Sequence, residues 1–114
     1  MSAGVQTEYN TEILIAGNIH TRQVRLAEDD YYRGMPLAYD AANDRYAYNA
    51  NPLLIVAYFL GKDETDVEEN AWRAVIVGGS IYQNGIVDEN GDALTIDEDF
   101  IAAMGIRGFY IQRT

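Results

Sequence analysis

No cysteine occurs in this chain, so neither a disulfide nor a thiolate zinc site can form. There is one lysine, Lys62, and one histidine, His20, which leaves few side chains for a basic patch or a metal centre. Eight basic residues face eighteen acidic ones, for a net charge of −10. A phosphate-backbone binder needs clustered Lys and Arg, and an anionic membrane surface repels such a charge, so the expectation is no nucleic acid and no membrane as partners. No apolar run approaches the ~20 residues of a bilayer span. Residues 1–11 hold neither the basic region nor the apolar run of a secretory leader, so the chain is expected to be made and used in a cytoplasm.

What is present is β-favouring and heavily punctuated. Nine tyrosines and ten glycines are spread through 114 residues, a length that suits one domain with its own core. Residues 1–11 are small and polar apart from Val5 and Tyr9, and read as a flexible arm. Residues 12–114 read as a single β domain. Glu12–Ala16 is strand-like and is closed by the turn pair Gly17-Asn18, and Ile19–Ala27 alternates as a half-buried strand. Glu28-Asp29-Asp30 reads as an acidic turn.

The stretch from Gly34 to Leu60 organises the rest. Met35–Tyr39 and Arg45–Tyr48 flank the polar cluster Asp40–Asp44, which predicts a hairpin with Tyr46 and Tyr48 opposite Leu37 or Tyr39. After Asn51-Pro52, the run Leu53–Leu60 is too short for a membrane and apolar enough for a strand buried on both faces. Asp63–Glu69 holds five acids in seven residues and reads as a solvated loop. Ala71–Val77 is a strand with Trp72, Ala74 and Ile76 on one face, turned or bulged at Gly78-Gly79. Ser80–Tyr82 and the turn pair Asn84-Gly85 follow. Asp97–Gly105 is the one clear helix, capped by Thr95 or Asp97 and ended by Gly105, before a last strand in Ile106–Gln112. The predicted fold is therefore mainly β: a small barrel or sandwich of seven or eight short strands with one short C-terminal helix.

Chemical motifs are sparse. Ser2 and Ser80 sit in no nucleophile-elbow pattern, and His20 has no local partner, so no catalytic residue is assigned and no enzymatic activity is expected. Asp88-x-Asn90-x-Asp92 begins like a calcium loop but has Ala93 at the sixth position and Asp99 where the bidentate Glu belongs. Neither a metal nor a cofactor is expected. Tyr31, Tyr32, Tyr46, Tyr48 and Trp72 are candidates for an interface or a pocket.

The order of these features resembles the small head decoration proteins of tailed bacteriophages. The resemblance is carried by Gly34, Pro36, Leu37 and Asp40 in the hairpin, by Leu53–Gly61 followed by Asp63, and by Ala71–Gly78. Asp97–Met104 with Gly105-Ile106 completes it. It implies a protein of the outer capsid surface, a homotrimer that binds the major capsid protein after the shell expands, with localisation in the virion. It also implies an arm, here Val5, Gln6, Thr7, Tyr9, Asn10 and Thr11, that adds a strand to the capsid protein. This arm is short for the family and has no Pro/Ala-rich tract. The competing readings are a small β module for a ligand or carbohydrate, and another virion part such as a head–tail completion protein.

Overall fold

The two longest strands form the wall on which the others are hung. In a computed structural model describing residues 14–113, β1 (Ile15–Leu26) and β7 (Ala71–Tyr82) run antiparallel for twelve residues each. Between them in sequence come β2 (Asp29–Tyr31), β3 (Pro36–Asp40), β4 (Arg45–Tyr48), β5 (Ile55–Phe59) and β6 (Glu64–Val67). A 3-10 turn (Gln83–Gly85), the helix α1 (Glu98–Ile106) and β8 (Phe109–Gln112) follow β7.

The main sheet has the order β1-β4-β3-β5-β7-β8, and β7 also pairs with β1, so five strands make a nearly closed barrel. One edge of β7 is taken by β1. The other is shared between β5, at Val75 and Ile76, and the parallel strand β8, from Gly79 to Tyr82. Closure between β1 and β4 rests on a single parallel bridge, Leu26 to Tyr46, with the Ala27 N–H donating to the Tyr46 carbonyl at 2.8 Å. The mainly β architecture and the single C-terminal helix match the sequence reading.

The hairpin forms as its alternation dictates. Leu37 lies opposite Tyr48, and Tyr39 opposite Tyr46. β5 is buried on both faces, as its apolar run requires. Ile55 and Tyr58 join a core with Ile76, Phe100, Met104 and Phe109, under the helix. Ala57 and Phe59 join a second core with Leu26, Leu37 and Val75. Leu53 and Leu54, which the sequence placed in that strand, instead form an exposed turn before it.

Three further expectations are corrected. Gly17-Asn18 does not end a strand: β1 continues through it, with five residues from Ile15 to Ile19 facing three from Ile81 to Gly79. Gly78-Gly79 bulges β7 without ending it, one of the two outcomes expected there: the register shifts as His20 pairs with Gly78 and Thr21 with Ile76. Gly79 has φ +115°, and a Cβ there would meet the Asn18 carbonyl at 2.2 Å, so Gly17-Asn18 and Gly78-Gly79 form facing irregularities in one long ribbon. The acidic segments Glu28–Asp30 and Asp63–Glu69 are not simply loops. Parts of them pair as the ribbon β2–β6, held by buried Tyr31 and Val67 and by Asp30 Oδ1, which accepts from the Asp66 N–H at 2.8 Å. Finally, α1 is capped by Asp97, whose carboxylate accepts from the Phe100 N–H at 2.8 Å, and it runs past Gly105. The left-handed turn belongs to Gly108, at φ +90°.

Candidate functional site

The weak closure between β1 and β4 leaves a cleft at the barrel seam. Past the Leu26–Tyr46 bridge the two strands separate, and residues 22–25 of β1 face Tyr39, Asp44 and Tyr46 across an opening of about 330 Å³. Trp72 stands at its side, directly opposite Arg25 in the β1–β7 ladder. Trp72 shares its face of β7 with Ile76, by alternation. The helix-side core covers Ile76, and Trp72 is left 60% exposed.

The cleft wall is built from linked contacts. The Tyr39 hydroxyl donates to Asp44 Oδ1 at 2.7 Å, and Arg25 donates to Asp44 Oδ2 at 2.6 Å, which spans the seam. The Arg25 guanidinium lies 5.9 Å from the centre of the Trp72 ring, within cation–π range. Tyr39 packs on Tyr46 with ring centres 5.3 Å apart. The Tyr39 hydrogen bond, followed by the Arg25 contacts, holds the Asp44 carboxyl below the usual carboxylate range. The same hydrogen bond raises the Tyr39 phenol. Asp44 adopts φ +52° at the end of the hairpin turn, the backbone position that brings its carboxylate back over β1.

The structure brings together two of the five aromatic candidates. Tyr46 and Trp72 line the cleft. Tyr31 is in the core, with its hydroxyl donating to the Ala27 carbonyl at 2.6 Å and its ring 5.4 Å from Phe59; burial, then Asp29, pushes its phenol up. Tyr32 packs on the same core and lies under Gly91. Tyr48 is half-buried near Asp88 and Glu89, and burial raises its phenol. The arm candidates Val5, Gln6, Thr7, Tyr9, Asn10 and Thr11 lie outside the described residues.

Sequence reading missed Arg22, Arg25, Tyr39 and Asp44 as members of the site. Tyr39 and Asp44 were legible only as hairpin residues, and nothing local ties them to β1, nineteen positions away in the case of Arg25 and Asp44. The Asp88 turn satisfies its own carboxylate: Oδ1 accepts from the N–H groups of Asn90 and Asp92 at 2.8 and 3.0 Å. Among the described residues, no three His, Asp or Glu side chains converge as a metal site. His20 and Ser80 lie in β1 and β7, opposite Gly78 and Tyr110 respectively.

A second exposed surface lies at the C-terminal end of α1. Arg107 donates to the Leu53 carbonyl, which sets the exposed Leu53–Leu54 turn beside the helix end that carries Ile106, 89% exposed. Exposed Tyr110 follows in β8. No protein-family model matches the sequence, and no curated protein matches it either.

Proposed function

We propose that this chain is a phage capsid decoration protein, which binds the outer face of an expanded shell as a homotrimer and stabilises it. Its arm, Val5 to Thr11, adds as an extended strand to the major capsid protein. The observation that carries this reading is the bare apolar surface of Leu53, Leu54, Ile106 and Tyr110 on a body whose cores are already filled. Exposed apolar groups such as Leu53, Leu54 and Ile106 beside one helix end suit contact with another protein more than contact with water. The residue order from Gly34 through Ile106 supports the same assignment.

The physics of such binding is additive. Main-chain hydrogen bonds of an added strand supply affinity, and the alternation of Val5, Thr7, Tyr9 and Thr11 supplies register. Three arms on one trimer multiply a modest single-arm affinity. A net charge of −10 keeps copies crowded on a particle from associating further.

The test is to mix purified protein with empty expanded and unexpanded phage heads and weigh what co-sediments. Binding to the expanded heads, and its loss on deletion of Met1–Asn10, is the expected outcome. A truncated protein that saturates shells at the wild-type concentration rules out the arm's role. Failure of the full chain to bind any shell rules out the function. Sedimentation of the free protein as a larger ring would favour a head–tail connector instead.

A further inference from the structure

We propose that the outer edge of β1 receives the N-terminal segment of a second copy of this chain as an added strand, with that copy's Glu8 opposite Arg22. The first support is an edge without a partner. β1 pairs with β7 along one edge, whereas among the described residues its outer edge meets only Tyr46, at Leu26. The Arg25–Asp44 bridge closes the seam beside that point and leaves the outer edge open over residues 15–24. Such an edge is a row of main-chain donors and acceptors, and an extended segment satisfies them.

The second support is charge. Neither β1 nor β7 contains an acidic residue. Asp44 offsets Arg25 and Glu64 offsets Arg73, while Arg22 is exposed and forms no ion pair among the described residues. Arg22 lies opposite Val75 on the β7 side. A strand added on the other side therefore sets one of its own side chains beside Arg22, on the same face of the sheet. Although the molecule carries a net charge of −10, an acid-bearing strand finds an attraction here.

The third support is that the chain supplies such a strand. Residues 1–13, which lie outside the described residues, hold Glu8 and Glu12 and no Lys or Arg. In an extended segment these two acids share one face, and Val5, Thr7 and Tyr9 share the other. Thirteen extended residues reach about 43 Å, more than the ~33 Å of the open edge. Glu12 is too close to Leu14, which its own copy holds against Tyr82, to reach a neighbour; Glu8 stands about 20 Å farther out along the chain than that anchor. Folding back onto its own β1 would require a reversal at Glu12-Ile13, neither of which is a turn-forming residue. It would also set Glu8 opposite Gly17 rather than Arg22. The segment therefore goes to a neighbour, and a head-to-tail contact of this kind closes into a ring, as a homotrimer requires. On a shell, the capsid protein's edge replaces the neighbour's. The contact itself needs no shell and stands apart from the capsid reading.

The test is amide hydrogen exchange at residues 21–24 of the full chain, without shells and at millimolar concentration. These amides should exchange about two- to fivefold more slowly in the wild type than in Arg22→Glu or Glu8→Arg, the range of a surface ion pair. An equal mixture of the two variants should recover much of the protection, because each supplies the partner that the other lacks. The double variant should recover it as well. Arg22 is exposed and Glu8 lies ahead of the body, so all melting curves should match wild type. Equal exchange in the wild type and both single variants overturns the proposal. So does recovery in the double variant but not in the mixture, which would put the segment on its own strand. Absence of recovery in both overturns it too, by separating Glu8 from Arg22. Shell binding is read separately by co-sedimentation, so a failed capsid reading leaves this result unaffected.

Discussion

Tyr58 shows how one buried side chain sets a chemical limit on the fold. Its ring meets Phe109 edge-on at 5.0 Å, and its hydroxyl has, among the described residues, the Met104 sulfur at 3.0 Å as its one partner. Burial pushes the phenol well above its ordinary value. Tyr31 is raised for the same principal reason. Unfolded tyrosines ionise near pH 10, while these two stay protonated in the folded chain. Stability is therefore full below about pH 10 and falls as pH rises above it, because the unfolded state then binds fewer protons. Tyr58→Phe removes one such group and loses only a weak sulfur contact. Urea unfolding between about pH 9 and 11 should show the variant with a shallower decline, by up to about 1.4 kcal/mol per pH unit. Leu37 sets a second limit at this scale. It is fully buried between β4 and β5, so Leu37→Ala should cost about 2–5 kcal/mol in the same assay, and Leu37→Asp should leave no folded protein.

At the scale of elements, the long ribbon of β1 and β7 depends on its irregularities. Gly79 holds a left-handed backbone against Asn18, and its N–H donates to the Gly108 carbonyl at 2.9 Å. Gly79→Ala must displace main chain rather than a flexible side chain. It should lower the melting temperature far more than Gly105→Ala, whose added methyl meets nothing within 4 Å and which sits in the last turn of α1, where Ala is still a better helix former than Gly. Parallel thermal melts of the two variants check this ordering. At the other end of α1, Asp97→Ala should cost about 1 kcal/mol, the usual loss for an N-cap, read from the urea midpoint.

Element types were largely legible because their signals are local. The hairpin register follows from alternation within fifteen residues, and the helix start follows from its cap and its first acids. The β2–β6 ribbon was not legible. Its acidic composition reads as solvated, and its pairing depends on contacts such as Asp66 with Asp30, thirty-six positions apart. Glu64 adds a bidentate pair with Arg73, at 2.9 and 2.6 Å, which turns one of those acids into a tether between β6 and β7.

For the whole molecule, Leu14 is an anchor just ahead of β1. That residue is fully buried, its carbonyl accepts from the Tyr82 N–H at 2.8 Å, and Gly85 packs against its backbone. A chain lacking Met1–Asn10 keeps this anchor and both cores. Its melting temperature should lie within a few degrees of wild type, checked by calorimetry on both proteins. A large drop would mean that the arm is part of the folded body rather than a tether to a partner.

By itself the sequence determined the chemical class of this protein: acidic, free of cysteine, β-rich, with a two-face-buried strand and one capped helix. Those properties follow from composition and from periodicities of two to four residues, which act within a single element. Tertiary structure alone decided that Gly17-Asn18 and Gly78-Gly79 would lie face to face inside twelve-residue strands. It also decided that an acidic stretch would pair, and that Arg22, Arg25, Tyr39, Asp44 and Trp72 would meet at a seam. The reason is that barrel closure is a long-range event. It fixes which strand edges touch and which part company, and no local signal in the chain carries that information.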